Sequence, residues 1–186
     1  MIEDGVKISE LTEVSSVAGT DIIPIVNNDE TKSATISQVA QYTYSTRPPE
    51  YCVASTSSSP SISSNFFVPL NYIYGKSGNF TLEDGGIKIG ANINVVKVSG
   101  NCFIDSAPTS PGYVWGKIYL IRGNQESIIA TSINSVGNCA SMSTPIPTAL
   151  IGVQEGDIIK LMADGGSGGV IRGYSSNTWL LVEKIA

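Results

Sequence analysis

The alternation of apolar and polar residues predicts a chain built mainly of β-strands. Val96, Val98, Cys102 and Ile104 all hold even positions, and polar residues separate most of them. A period of two places successive side chains on opposite faces, so this segment is predicted to be a half-buried strand. The apolar residues just before it, Ile93 and Val95, have the opposite parity, which predicts either a bulge or a two-sided strand near Val95.

Two further segments, residues 113–122 and 178–185, are apolar on both faces. Strands of this kind lie between two layers or against another subunit. Additional strands are predicted at residues 127–133, 140–146 and 157–163. Strands about 8–12 residues apart, separated by turn residues, indicate a β-sandwich or barrel. The serine-rich stretch at residues 55–64 is interpreted as an exposed loop.

The first 45 residues form a separate pattern of a hairpin followed by one short helix. An apolar run at residues 21–26, a turn cluster at 27–30 and a return strand at 31–35 predict the hairpin. Thr35 and Gln38 have the spacing of a capping box, which predicts a helix start. Two prolines within residues 46–50 cannot continue that helix, so this stretch is the predicted linker. The predicted organisation is an arm at 1–45, a linker at 46–50 and a β-domain at 51–186.

Composition excludes several partners. Hydrophobic residues make up 41% of the 186 residues and charged residues 15%, which is typical of a folded domain. The formal net charge is −5, and the eleven Lys and Arg residues are scattered, so nucleic-acid binding is not expected. No apolar run reaches the roughly 20 residues of a membrane helix, and the acidic amino terminus does not resemble a signal peptide.

The residue types of hydrolytic sites are missing. The chain contains no histidine, so Ser-His-Asp and Cys-His arrangements cannot form, and there is no G-x-S-x-G motif. The three cysteines are far apart and are interpreted as small buried apolar groups. The acidic residues at 83–84, 155–157 and 164 fall in predicted turns. We therefore expect no enzymatic activity, no cofactor and no metal.

Exposed aromatic residues offer a better candidate for binding. Tyr72, Tyr74, Tyr113 and Tyr174 lie near predicted loops, where aromatic faces with polar neighbours suit sugars and protein hot spots. The alternative is that these tyrosines close the edge of the sandwich.

The amino-terminal pattern resembles the attachment segment of bacteriophage tail-fibre and head-fibre proteins. The matching residues are Ile8-Ser9-Glu10-Leu11, Gly19-Thr20-Asp21-Ile22-Ile23-Pro24-Ile25-Val26 and Lys32-Ser33-Ala34-Thr35-Ile36-Ser37-Gln38-Val39-Ala40. The resemblance implies that residues 1–45 dock on a capsid or tail protein. The attachment residues that it implies are Leu11, Asp21, Ile23, Pro24, Ile36 and Val39.

The β-domain resembles the C1q/TNF-like jelly roll, an antiparallel β-sandwich. Three stretches carry the likeness: residues 79–89 leading into 95–100, the Gly156-Asp157 turn before Ile158, and the closing segment 178–185. The tyrosine that precedes a strand in C1q domains is absent near Asn94, so a phage jelly roll outside that superfamily stays open. The resemblance implies a homotrimer, with candidate contact residues Tyr119, Ile121, Trp179 and Leu181; each of them is an equally good candidate for the core of one subunit.

Together the two resemblances imply a bacteriophage virion protein, a homotrimeric fibre or spike. The short length and single compact domain favour a head fibre. A receptor-binding tail fibre and a stand-alone C1q-like carbohydrate-binding module are the alternatives. The expected outer partner is a host cell-surface polysaccharide or protein. The protein would be made in the bacterial cytoplasm without a signal peptide and would reside in the virion.

Overall fold

The computed structural model describes residues 16, 18–27, 30–39, 49–105, 113–135, 141–165, 169–173 and 177–186. The chain divides into two compact units, Met1–Pro48 and Pro49–Ala186. The first unit contains one hydrogen-bonded sheet and the second unit contains two.

The first unit contains an antiparallel hairpin, with β1 at Ile22–Asn27 and β2 at Glu30–Thr35. A helical turn at residues 36–39 follows β2 directly. Both elements lie where the apolar run and the capping pattern predict them.

The second unit is a sandwich of two six-stranded antiparallel sheets. Its strands are β3 (Tyr51–Ser55), β4 (Phe66–Phe67), β5 (Tyr72–Ser77), β6 (Phe80–Glu83), β7 (Gly86–Ile89), β8 (Val95–Asp105), β9 (Tyr113–Arg122), β10 (Gln125–Ser135), β11 (Ser141–Gly152), β12 (Ile158–Asp164), β13 (Val170–Ile171) and β14 (Trp179–Lys184). The front sheet has the order β10-β9-β12-β7-β6, and β4 pairs with β12. The back sheet has the order β11-β8-β14-β3-β5, and β13 pairs with β8.

The core lies between the two sheets and follows the predicted alternation. The even residues of β8, Val96, Val98, Cys102 and Ile104, are all fully buried. Gly100 interrupts this row, and the side-chain ends of front-sheet residues occupy the space beside it, at 3.5 and 3.6 Å from where a Cβ would lie. The predicted mainly β, antiparallel fold class is confirmed.

Two tight turns show why glycine is needed between paired strands. Asp84 and Gly85 join β6 to β7, with φ of 48° and 71°. Positive φ at both central residues defines a type I′ turn, which matches the twist of the flanking strands. Gly123, with φ of 58°, opens the turn between β9 and β10.

The sandwich has two ends, which we call the base and the tip. The base holds the turns at residues 77–79, 90–94 and 152–157, the start of the unit at Pro49 and the carboxyl terminus. There the carbonyl of Ala186 accepts hydrogen bonds from the amides of Asn94 and Val95 at 2.8 and 3.0 Å. The tip holds the loop at 56–65 and the last residues of β8, β10, β12 and β13. The chain therefore enters the sandwich at the end opposite the tip.

An ion pair fastens the incoming chain at the base. Lys184 Nζ lies 2.7 Å from a carboxylate oxygen of Glu50, and the Lys184 amide donates to the Glu50 carbonyl at 2.8 Å. The hydrogen bond from Lys184 lowers the pKa of the Glu50 carboxyl. A lowered folded-state pKa means that this contribution to stability is present above the ordinary value and is lost as the pH falls through the lowered one.

Of two local predictions, the first is confirmed on one side of β8 and the second is wrong. Toward β11, β8 pairs without a register shift through Val95 and Val96, and the irregularity lies in β11 between Ile146 and Ala149. On the other side, the amides of Asn94 and Val95 both donate to the Ala186 carbonyl, which is the hydrogen-bond pattern of a β-bulge. Ile93 is buried at an odd position, unlike the even core positions of β8, because it belongs to the turn before that strand. The stretch at 55–64 is not a wholly exposed loop, since Ser55, Thr56 and Ile62 are buried.

Leu161→Ala is expected to destabilise the sandwich by about 2–5 kcal/mol, because it leaves a cavity between the sheets. Leu161 is fully buried, whereas Leu150 is 65% exposed. Leu150→Ala is the matched control and should change the free energy of unfolding by about 0.5 kcal/mol or less. Denaturant unfolding of both variants measures the difference, and equal losses would contradict the assigned core.

Candidate interaction surfaces

The predicted attachment residues lie in the hairpin unit, apart from Leu11, which is outside the described residues. Ile23 and Ile36 are half-buried, whereas Pro24 and Val39 are exposed. Ile22, which is not among the predicted residues, is 69% exposed, more than any other large apolar side chain among the described residues. The described part of this unit therefore presents apolar side chains that its own small core does not cover.

Asp21, a residue of the fibre-type pattern, holds the turn before β1 through two hydrogen bonds. Its carboxylate accepts the amide of Ala18 at 2.7 Å, and its carbonyl accepts the amide of Ile36 at 2.9 Å. The carbonyl of Gly19 accepts the amide of Ser37 at 2.9 Å. The Gly-Thr-Asp turn thus binds the free amides at the start of the helical turn.

The predicted capping box is confirmed. The Thr35 amide donates to the side-chain oxygen of Gln38 at 2.9 Å, and the Gln38 amide donates to the Thr35 hydroxyl at 3.1 Å. The two side chains satisfy each other's backbone amides at the point where β2 ends.

The four candidate contact residues of the sandwich lie on two opposite outer faces. Tyr119 and Ile121 belong to β9 and face outward from the front sheet, because their neighbours Ile118 and Leu120 face the core. Trp179 and Leu181 belong to β14 and face outward from the back sheet, because Leu180 and Val182 are buried. All four are half-buried within the subunit.

The outer face of β9 and β10 forms an apolar area that we call the front patch. Trp115 lies directly across from Ile133, and Tyr119 lies across from Ile128. Their exposed fractions are 37% for Trp115, 45% for Ile133 and 56% for Ile128. The full patch comprises Tyr113, Trp115, Tyr119, Ile121, Ile128 and Ile133. Clustered exposure of this kind marks an interaction surface.

The outer face of β3, β8 and β14 forms a second apolar area, the back patch. Leu181 pairs with Val53 on one side and with Ser99 on the other, and Trp179 pairs with Asn101. The patch comprises Tyr51, Val53, Trp179 and Leu181. The Lys97–Glu183 ion pair lies beside it toward the base.

The acidic residues singled out in the sequence are mostly paired with cations. Arg122 Nη2 lies 2.6 Å from Asp157 Oδ2, and the buried carboxylate also accepts the Gln154 amide at 3.0 Å. The hydrogen bond between Arg122 and Asp157 raises the pKa of the Arg122 guanidinium. Glu83 pairs with Lys88, and Asp164 with Lys117. The sequence carried no signal for these pairings, because the partners meet only through the strand register.

Cys52 and Cys102 are fully buried, as interpreted from the sequence; Cys139 lies outside the described residues. Burial raises the pKa of the Cys52 thiol to about 11 and that of Cys102 to about 12. Neither is activated as a nucleophile. Within the described residues, no three acidic or cysteine side chains come together as a metal site would require, and no helix is long and apolar enough to cross a membrane.

Tyr72, Tyr74 and Tyr113 are exposed by 50%, 46% and 56%, and all three lie in the tip half of their strands. Tyr174 lies outside the described residues. The rings of Tyr72 and Tyr74 meet edge to face with centroids 5.4 Å apart. These tyrosines therefore leave half of their surface free at the end of the sandwich.

Comparison with solved structures identifies the architecture. A structure of murine APRIL superposes with a TM-score of 0.62 at 10% sequence identity, over 74% of this chain and 100% of that one. The fold is a TNF-like jelly roll. A structure of Eiger TNF from S. frugiperda superposes with a TM-score of 0.57 at 13% identity, over 75% and 94% of the two chains. At these identities the likeness concerns the fold alone.

The TNF-like jelly roll is thus supported by structure and not by sequence relatives. No protein-family model matches the chain, and no curated protein matches it in sequence.

Thr35→Ala is expected to destabilise the hairpin unit by about 0.5–2 kcal/mol, because it removes one half of the capping box. Hydrogen exchange at the Gln38 amide should quicken accordingly. Ser33→Ala, at an exposed position of β2, is the control and should leave that exchange unchanged. Equal exchange rates in both variants would contradict the role of the cap.

Proposed function

We propose that this chain is a bacteriophage virion protein that forms a homotrimeric fibre or spike, attached through residues 1–45 and exposing its jelly roll for adhesion. The observation that carries this proposal is the geometry of the hairpin unit. The residues that match the fibre-type segment, Gly19, Asp21, Thr35 and Gln38, hold the turn and the helix start together. The turn residues and the helix-start residues of the fibre-type segment therefore depend on each other, which explains why they occur together in one sequence pattern.

The hairpin unit has the properties of a docking element. A two-stranded sheet is marginally stable alone, because it buries little apolar surface. Ile22 and Val39 remain exposed, by 69% and 39%. A capsid or tail protein that covers these side chains would stabilise the arm and anchor the fibre at once.

The ends of the sandwich favour an outward-facing adhesion role. Pro49 begins the unit at the base, and the exposed tyrosines lie toward the tip. Loops at the end of the sandwich opposite Pro49 offer a surface for adhesion. A head fibre remains the favoured assignment because the chain has a single sandwich domain beside the small hairpin unit; a receptor-binding tail fibre is the second candidate.

The two apolar patches support a homotrimer with a heterologous contact. A twofold contact uses the same surface on both copies, so it would cover one patch and leave the other exposed. A heterologous contact places the front patch of one copy on the back patch of the next and covers both, and it closes into a trimer if each contact turns the next copy by a third of a full rotation. The number three comes from the C1q/TNF-like resemblance.

A variant that lacks residues 1–45 should fold and assemble but fail to join particles. The measurement is the amount of protein that sediments with phage particles, compared with the full chain. Normal incorporation of the truncated protein would contradict the attachment role. Immunogold labelling of particles that carry the full chain separates head fibre from tail fibre.

Ile133→Glu in the front patch and Leu181→Glu in the back patch should each abolish the trimer. Because each variant keeps one intact patch, an equal mixture should form a dimer of about 39 kDa, twice the 19.6 kDa of one chain. Light scattering measures the masses, and circular dichroism checks that both variants fold.

Thr81→Glu, on the exposed part of β6, is the control and should stay trimeric. A mixture that remains monomeric, or a single variant that remains trimeric, would contradict the heterologous contact.

A further inference from the structure

A pre-oriented arginine lies at the tip of the back sheet. Arg172 follows β13, and its guanidinium carbon lies 5.1 Å from the centroid of the Phe103 ring. Its Nε donates to Asp105 Oδ2 at 2.6 Å, and half of the side chain is exposed. The ring and the carboxylate together fix the plane in which the guanidinium lies.

The two NH₂ groups of the Arg172 guanidinium can donate hydrogen bonds to a ligand. Only Nε is used by Asp105, and no acceptor for the two NH₂ groups is found among the described residues. A guanidinium presents its donors as a rigid fork that matches a carboxylate or phosphate. Since the fork is already held, less freedom is lost when an anion binds.

A serine loop is fixed directly beside Arg172. The amide of Gly173 donates to the Ser59 hydroxyl at 3.3 Å. A Cβ on Gly173 would lie 1.8 Å from the carbonyl oxygen of Ser58, so only glycine allows this approach. The exposed side chains of Ser58 and Ser59 are therefore held next to the arginine.

The same loop continues to the exposed tyrosine pair. The Ser57 amide donates to the side-chain oxygen of Asn71 at 2.7 Å, and Tyr72 follows Asn71 in the chain. Between β8 and β5 lie two further strands, so the span from Arg172 to the tyrosines is on the order of 15 Å at about 4.8 Å per strand. That length suits an oligosaccharide better than a single sugar.

We propose that Arg172, Ser58, Ser59, Tyr72 and Tyr74, which we call the tip strip, bind an anionic oligosaccharide. Arg172 binds the carboxylate or phosphate group, the serine hydroxyls bond sugar hydroxyls, and the tyrosine rings contact the apolar face of a sugar. This inference rests on the proposed adhesion role and names its ligand class. Because the chain has a net charge of −5, attraction must come from this local contact and not from the overall field.

The test is calorimetric titration of the full chain with three polymers: oligogalacturonate, which carries carboxylates; poly(glycerol phosphate) teichoic acid, which carries phosphates; and neutral maltohexaose. At least one anionic polymer should bind, and the pattern of binding identifies the anion. Arg172→Lys keeps the charge but loses the fork, and should weaken binding at least tenfold. Tyr72→Ala should weaken it as well.

Lys88→Gln, which removes one positive charge from the opposite sheet, is the matched control and should leave the affinity unchanged. Failure of both anionic polymers to bind, equal binding of maltohexaose, or equal losses in Arg172→Lys and Lys88→Gln would overturn the proposal. Sedimentation of the same variants with particles separates the two ideas, because loss of the tip strip leaves attachment through residues 1–45 intact.

Discussion

A β-strand divides its side chains between two faces, and in β9 and β14 both faces are apolar. The inner face is buried within one subunit, where Ile118 and Leu180 lie fully buried between the sheets. The outer face is not, because nothing in the described structure covers Trp115, Ile133 or Leu181 completely. In the proposed assembly a second copy covers these outer faces, and the positions of both patches follow from the register of the sheets.

The hairpin unit works under the opposite constraint, since it has too little apolar surface to be strongly stable. Its geometry depends on backbone amides that Asp21, Thr35 and Gln38 satisfy in a few hydrogen bonds. These few bonds define the shape of the unit, which leaves Ile22 exposed. The proposed docking role follows from this exposure.

The local pattern predicted much of this architecture, because period and turn chemistry act over a few residues. The alternation in β8 and the capping box at Thr35 are of this kind. Long-range pairings were beyond reach: nothing near Trp179 or Tyr119 indicates that they lie on opposite faces, and the Arg122–Asp157 pair forms only through the register of β9 and β12. The local pattern around Ser55 predicts an exposed loop, whereas the structure buries this residue. Its hydroxyl donates to the Thr178 carbonyl, 123 positions away, and no local pattern carries information about that contact.

The central claim is that the sandwich is incomplete as a single copy. Light scattering on the purified full chain tests it most directly, since the mass does not depend on any partner. The account predicts about 59 kDa, three times the 19.6 kDa of one chain. A stable mass of 19.6 kDa at micromolar concentration would contradict it, because both patches would then remain exposed to water.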